Sequence, residues 1–305
     1  MPFDRPPQYD VLFEPVRIGP KLAKNRFYQV PHCNGGGYRD PSAAAEMRRT
    51  KAEGGWGVIF TEQTEIHHSS EITPYIEQRL WDDRDIPALA RMAEAMKSHG
   101  ALAGIQFAYS GINGPNLYTR EVPLAVTGGP ILTFSFDPVQ ARSADLADIA
   151  DMRRWFVNAA KRAQRAGFDL ICLYGAHGFG IFQHFLSRAT NFRSDEYGGS
   201  LENRARFLRE VIADTKEAVG DRCAGAHRHA VAALVVKRDA QPHQLHQPFR
   251  SKADHLAQYI GVGGLLQHAE VGGRDGELGA VETVAILHAR HGTRAKHGQP
   301  AAIRR

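Results

Sequence analysis

"GALAGIQFAY", residues 100–109, is one of four short apolar runs that decide the fold of this chain. The others are "RFYQVPH" (26–32), "GWGVIFTE" (55–62) and "GFDLICLYG" (167–175), and none of them alternates strictly between apolar and polar residues. Strands that are buried on both faces have this composition, and such strands occur in parallel sheets covered by helices. The four runs therefore predict four strands of a parallel sheet.

Three stretches between and after these runs have the spacing of amphipathic helices. Apolar residues recur three or four positions apart in 86–96, 149–163 and 201–219, and Gly100 and Gly220 follow the first and third stretches as helix stops. Strand–helix repeats of this kind form either a doubly wound sheet or a (β/α)8 barrel. Polar clusters follow each strand, and in a barrel they would all meet at the carboxyl-end face, where active sites lie. We therefore favour the α/β class and a (β/α)8 TIM barrel.

Composition and cysteine content indicate a protein of a reducing compartment. The chain has 305 residues, and its 43% apolar content is ample for a buried core. Its three cysteines show no metal-type pairing, and their odd number argues against a disulfide framework. The charged, proline-rich first residues do not resemble a signal peptide, and no stretch approaches the roughly 20 apolar residues of a membrane span. We expect a cytoplasmic protein with no membrane partner.

The excess positive charge lies entirely in the last part of the chain. Residues 1–224 contain 27 basic and 27 acidic residues, whereas residues 225–305 contain 11 basic and 6 acidic ones. The second part also has 9 of the 15 histidines but only two aromatic residues, Phe249 and Tyr259. Its charges are scattered among acids and stacking aromatics are scarce, so a tail that binds RNA or lipid is disfavoured. No nucleic-acid partner is expected.

Several residues after the strands are candidates for chemistry. Cys33 follows the first strand beside His32 and precedes a glycine run, so it could be a nucleophile or a covalent anchor, or a small buried apolar residue. Gln106 could hydrogen-bond a ligand ring, or be a solvated or helix-capping amide. Tyr174 and His177 could handle a proton at neutral pH, although a histidine satisfied by backbone carbonyls is the commoner case.

Other polar features carry less signal. Cys172 lies within a strand and is expected to be a packing residue. The stretch "HHSSE" (67–71) lacks a third ligand at metal spacing, so we expect a solvated loop and no metal site. The glycine run at 35–37 does not fit a dinucleotide-binding fingerprint.

Together these features resemble a known family. "LFEPVRIGPKLAKNRFYQVPH" (12–32), "AEGGWGVIFTE" (52–62), "GALAGIQ" (100–106) and above all "RSDEYGGSLENRARF" (193–207) resemble the FMN-dependent Old Yellow Enzyme family. Within it, "QVPHC" followed by "LYGAH" is similar to the trimethylamine and histamine dehydrogenase branch. The resemblance covers roughly residues 8–231.

The resemblance implies an FMN cofactor attached covalently through Cys33, with His32 beside the ring. Gln106 would contact the flavin pyrimidine, and Arg228 falls where the family has a flavin-facing arginine on its fifth strand. The complete set of implied cofactor-binding residues is Pro31, His32, Cys33, Glu62, Gln106 and Arg228.

The resemblance also implies the reaction. Tyr174 and His177 would assist oxidation of a small amine, which transfers a hydride equivalent to flavin N5, and the iminium product then hydrolyses to an aldehyde. Gln63 would be a substrate residue, because it replaces a tyrosine of the aromatic bowl of trimethylamine dehydrogenases and looks more like histamine dehydrogenase. Phe179 stands in place of the proton-donating tyrosine of ene-reductases. In the family, electrons leave through an iron–sulfur cluster, whose cysteine cluster does not appear after Cys223.

Residues 232–305 do not follow the family pattern. We expect residues 1–231 to form the N-terminal part of an FMN-binding TIM barrel, with strands one to five only. Residues 232–305 would be a tail that is disordered or that arises from a shifted reading frame. Such a chain should retain flavin weakly. Its unpaired strand edges are available for pairing with another copy of the chain, as in a homo-oligomer. The alternatives to an amine dehydrogenase are an ene-reductase that uses NAD(P)H and a non-catalytic fragment without flavin.

Overall fold

The structure, a computed structural model, describes residues 6–33, 36–72, 78–131, 139–175 and 180–223, and three short strands farther along the chain. The helices are α1 (Pro41–Glu53), α2 (Ile86–Lys97), α3 (Leu146–Arg165), α4 (Ile181–Leu186) and α5 (Leu201–Val219). The first six strands are β1 (Val16–Ile18), β2 (Lys21–Ala23), β3 (Phe27–Gln29), β4 (Val58–Glu65), β5 (Gln78–Arg79) and β6 (Leu102–Ala108). The remaining strands are β7 (Leu124–Ala125), β8 (Gly129–Pro130), β9 (Gln140–Ser143), β10 (Leu170–Leu173), β11 (Val235–Lys237), β12 (Tyr259–Gly261) and β13 (Val284–Ile286).

Four strands form the central parallel sheet, in the order β10-β6-β4-β3. Each of the four predicted apolar runs overlaps one of them, although β4 extends three residues beyond its run, and α1, α2 and α3 connect them in turn. The alternation of strand and helix is therefore confirmed, with α2, α3 and α5 at the three predicted stretches and α1 as a helix that was not predicted. At the far side of β3, β13 pairs antiparallel. The predicted fifth strand around Arg228 lies outside the described residues.

Helices α1, α3 and α5 begin at side chains that accept hydrogen bonds from backbone amides of the first turn. The Asp145 carboxylate accepts from the Asp148 amide at the start of α3, and the Ser200 hydroxyl accepts from the Asn203 amide at the start of α5. Helix α5 ends at Gly220, which has φ +56°, a conformation that favours glycine. The predicted apolar stripe of α5 is partly wrong, because Leu201 is 66% exposed.

Two apolar cores lie on opposite faces of the sheet. The outer core contains Ile59, Ile105 and Ile171 from alternate strand positions, packed against α2, α3 and α5. The inner core contains residues of the opposite face together with the β1–β2 hairpin: Val16, Ile18, Ala23, Tyr28, Val58, Phe60, Leu170 and Cys172. Successive side chains of a strand point to opposite faces, and the helices pack against the face of the first set. The face that carries the second set is therefore the inner side of the sheet.

A glycine and an aromatic ring fill the inner core jointly. Gly104 is paired with Phe60 on the neighbouring strand, and a Cβ at Gly104 would lie 2.5 Å from the Phe60 ring. The Phe60 side chain therefore occupies the space that a side chain at 104 would need. Above this pair, toward the carboxyl ends of the strands, the inner face becomes polar.

The connection from β6 to α3 carries a small sheet that the sequence did not indicate. Strand β9 pairs with β7 in parallel and with β8 in antiparallel fashion. Neither α3 nor any other helix in the described ranges combines the length and apolar character needed to span a bilayer.

Candidate functional site

Three polar side chains form a row on the inner face near the carboxyl ends of the strands. In the parallel ladder Gln63 is the partner of Gln106, and Gln106 is the partner of Cys172. Paired residues of neighbouring strands share a face, so all three lie on the inner side. The Gln106 Nε2 atom lies 3.8 Å from the Cys172 sulfur. We call Gln63, Gln106 and Cys172 the inner polar row.

A β-bulge decides that Gln63 belongs to this row. The register of β4 against β6 shifts between Phe60 and Gln63, so three steps along β4 match two steps along β6. Strict alternation from Phe60 would have aligned Glu62 with Gln106. In the bulge, the Thr61 hydroxyl accepts a hydrogen bond from the Gln106 backbone amide at 3.2 Å. Bulges commonly re-aim a side chain beside an active site.

Glu62 is fully buried on the side of the bulge that faces β5. Its carboxylate accepts a hydrogen bond from Gln78 Nε2 at 3.2 Å, and the same amide nitrogen donates to the Gly37 carbonyl at 3.1 Å. Glu62 and Gln63, neighbours in sequence, thus have different surroundings. Gln63 Nε2 is buried and has no hydrogen-bond partner among the described residues.

The thiol of Cys172 is held protonated by burial, although its contact with Gln106 lowers its pKa. Burial raises the pKa of this thiol to about 11. The sequence predicted a packing residue here, and Cys172 does pack in the inner core, but it also contacts Gln106. Tyr174 follows two residues later on the same face and is buried.

The segment after β3 brings Cys33 to the rim of the sheet. Pro31 is half-buried, His32 and Cys33 are exposed, and Cys33 is the exposed thiol of the three in the chain. The reading of Cys33 as a small buried residue is therefore wrong. An exposed cysteine at the carboxyl end of a strand is accessible to an electrophile.

Arg48, which the sequence reasoning missed, supports this segment from α1. Its side chain is fully buried, and its Nη2 atom donates to the His32 carbonyl at 2.9 Å. Burial lowers the pKa of the guanidinium, while the charges of Glu62 and Cys33 raise it. The spacing of Ala44, Arg48 and Ala52 on one helical face was the available signal, but only the packing of α1 shows that this face is buried.

The stretch at 67–71 is not the solvated loop that the sequence suggested. The His67 ring stacks on Trp155 at 3.6 Å between centroids, and Ser69, Ser70 and Glu71 are buried. Burial, with a smaller effect of the neighbouring His68, holds the pKa of His67 well below its usual range, at about 3. Within the described residues, no three His, Cys, Asp or Glu side chains are grouped as a metal site.

Two of the predicted site residues, His177 and Arg228, lie outside the described residues. Of the others, the structure brings Gln63 and Gln106 together, with Tyr174 on the same face. It places Glu62 beside Gln78 and leaves His32 and Cys33 at the rim. The arrangement offers a buried amide at Gln63 and a half-buried one at Gln106 for a polar planar ligand, and an exposed thiol at the rim of the sheet.

Comparison with known proteins identifies the relatives of this chain. Dimethylamine dehydrogenase of Hyphomicrobium sp. (strain x) is 39% identical over 240 residues, which are 75% of this chain and 32% of that protein. The structure of histamine dehydrogenase from Rhizobium sp. 4-9 matches with a TM-score of 0.71 and 77% identity over 72% of this chain and 34% of that one. An NADPH dehydrogenase of Geobacillus sp. (strain WCH70) is 34% identical over 214 residues, 68% of this chain and 60% of that protein.

The chain thus spans about a third of the length of the two amine dehydrogenases. The structural match supports the predicted α/β fold of the TIM-barrel type. Residues 11–246 match the family described as NADH:flavin oxidoreductase / NADH oxidase, whose named relatives here are dehydrogenases. With more than half of its residues in this match, the chain belongs to the NADH:flavin oxidoreductase / NADH oxidase family of enzymes.

Proposed function

We propose that this chain is an FMN-dependent oxidoreductase of the amine dehydrogenase type, in which FMN lies over the inner polar row and is tethered through Cys33. The observation that carries the proposal is the inner polar row itself. Gln63 and Gln106 lie side by side on the inner face, and the buried Gln63 Nε2 is left without a partner among the described residues. A buried amide without a partner is costly unless a ligand satisfies it.

The described residues fit a flavin ring. One edge of that ring carries donors and acceptors like those of an amide, which match the Gln63 and Gln106 side chains. The residues that would hold it are Gln106, Glu62 and the segment from Pro31 to Cys33, with Arg228 as a further predicted contact. When bound, FMN supplies a two-electron acceptor for hydride from the substrate.

The protein's own groups would then orient the amine and manage its proton. Tyr174 is buried on the inner face, two residues beyond Cys172, so its hydroxyl can hold the amine in a site from which water is largely excluded. His177 is the predicted partner that takes up a proton at its imidazole nitrogen. Gln63 would define the substrate side of the site.

An amine is favoured over an activated alkene by two observations. The exposed Cys33 lies where the resemblance places a covalent anchor, and the structural relative with 77% identity is a histamine dehydrogenase. The NADPH dehydrogenase relative supports the second candidate, an ene-reductase of the same family. The third candidate is a chain that holds no flavin, because phosphate binding in such barrels relies on loops after strands seven and eight.

The proposed tether is tested by acid precipitation after incubation of the purified chain with FMN. We expect flavin absorbance to remain with the precipitated protein, to be lost in Cys33→Ser and to persist in Cys223→Ser. Cys223 is the matched control because its thiol is buried and donates to the Phe168 carbonyl at 3.1 Å. Flavin that is bound but fully extractable by acid would contradict the tether, and a chain without any flavin would support the non-catalytic alternative.

The substrate class is tested separately on the flavin-loaded chain under anaerobic conditions. We expect histamine or dimethylamine to bleach the flavin absorbance without NADPH. Bleaching by NADPH followed by reoxidation with an enone, and no response to amines, would instead establish the ene-reductase.

A further inference from the structure

A buried arginine lies directly behind the segment that carries Cys33. Arg48 is fully buried, and a charged group is removed from water only at high cost unless it is paired. Its Nη2 atom donates to the His32 carbonyl at 2.9 Å, and its Nε atom lies 3.5 Å from the Phe60 carbonyl. Arg48 therefore connects the end of β3 to β4.

One guanidinium nitrogen of Arg48, Nη1, has no hydrogen-bond partner among the described residues. This atom is buried, although an arginine in such a place normally has all its donors satisfied. The carbonyl that holds Nη2 belongs to His32, one peptide bond before Cys33. The guanidinium and Cys33 also attract each other electrostatically when the thiol is ionised.

We propose that Arg48 is a positioning residue that fixes the His32–Cys33 segment and stabilises the Cys33 thiolate, which makes this thiol a nucleophile. The thiolate is the reactive form of cysteine, and a neighbouring arginine favours it. The proposal rests on the proposed function only for the electrophile, FMN: a ring carbon attacked by the thiolate would lose its proton, and the flavin itself would take up the electron pair. The activation of the thiol is a property of the chain itself.

The charges that face the segment predict opposite effects of two substitutions. Arg48 approaches from α1, Glu62 from β4 with its carboxylate on Gln78, and His32 lies on the segment itself. Removing the positive charge of Arg48 should destabilise the thiolate. Removing the negative charge of Glu62 should strengthen the net electrostatic attraction between the Arg48 guanidinium and the Cys33 thiolate. The thiolate should then be more stable. A merely structural role of Arg48 predicts no slowing in Arg48→Met that the charge-keeping Arg48→Lys would recover.

The experiment measures alkylation of the full chain by iodoacetamide, in which the thiolate forms a carbon–sulfur bond and iodide leaves. The two other thiols are buried, so one alkylated site per chain by mass reports Cys33, and Cys33→Ser gives the blank. We expect Arg48→Met to alkylate about tenfold more slowly near neutral pH, which corresponds to a rise of one unit in the thiol pKa. Arg48→Lys, which keeps the charge, should recover most of the rate, and Glu62→Gln should alkylate faster than the wild type.

Equal rates for wild type and a folded Arg48→Met would overturn the proposal. If Arg48→Met does not fold, alkylation of all three cysteines will reveal it, and Glu62→Gln then decides, because an unchanged or slower rate overturns the proposal as well. The acid-precipitation test separates a failure of this proposal from a failure of the proposed function. It measures attachment of flavin, whereas alkylation measures the reactivity of the Cys33 thiol. Arg48-dependent alkylation without any flavin attachment would refute the flavin tether and leave the activation of Cys33 intact.

Discussion

The two ends of the same four strands have opposite character on the inner face. At the amino end, Phe60, Gly104 and Leu170 pack against the β1–β2 hairpin in an apolar core. At the carboxyl end, one layer farther along the same strands, Gln63 and Gln106 meet the Cys172 thiol. The first end supplies stability through burial, and the second carries the polar groups that the proposed flavin site would use. Under this proposal the strands separate the requirements of folding from those of binding within a few residues.

The largest loss of unfolding free energy should come from removing a large side chain at the apolar end. Phe60→Ala removes a ring that is 2% exposed and lies against the position of Gly104, so we expect unfolding to require about 3–5 kcal/mol less free energy. Chemical denaturation measures this. Phe60→Leu, which keeps much of the volume, should lose less than half as much, and a Phe60→Ala loss below about 1 kcal/mol would show that this end is not tightly packed.

The stability of the fold should fall at alkaline pH because of Cys172, which lies between the apolar end and the polar end. Burial raises the pKa of this thiol from 9.0 to about 11, so the folded chain keeps a proton that the unfolded chain releases. The contribution is fully present below pH 9 and is lost as the pH rises toward 11, up to about 3 kcal/mol.

Cys172→Ala should therefore flatten the loss of stability between pH 9 and 11 when denaturation is repeated across that range. Tyr28 is the other buried acid of this core, and burial raises its pKa as well, so some alkaline loss remains in the variant. Burial also raises the pKa of Cys223 in the outer core, so Cys223→Ala serves as the comparison that leaves the Cys172 contribution in place. Identical pH profiles for wild type and Cys172→Ala would contradict the assignment.

The smallest effect should come from the polar end, where two buried glutamines differ in their partners. Gln63→Leu removes an Nε2 without a partner among the described residues, so stability should stay within about 1 kcal/mol of the wild type. Gln78→Leu leaves the Gly37 carbonyl and the Glu62 carboxylate without their donor and should cost about 1–3 kcal/mol. Equal losses from both substitutions in urea denaturation would mean that Gln63 is also a structural residue.

Much of the site could be anticipated from residue order, because carboxyl ends of parallel strands meet at one face. That rule placed Gln106, Tyr174 and Cys33 at the carboxyl-end face, and the structure has Gln106 and Tyr174 on the inner side and Cys33 at the rim. It did not find Arg48, since a charged residue on a helix is usually read as exposed. Only the packing of α1 against β3 and β4 shows that this guanidinium is buried behind Cys33.

The sequence by itself determined the strand–helix alternation, the two apolar faces of the sheet and the position of the thiol after β3, because hydrophobic periodicity and residue order are local properties. Only the tertiary structure decided that Gln63 rather than Glu62 joins Gln106 and Cys172. The physical reason is the β-bulge: one unmatched residue in β4 reverses the inward and outward positions after it, and a strand has an unmatched residue only relative to the neighbour with which it pairs.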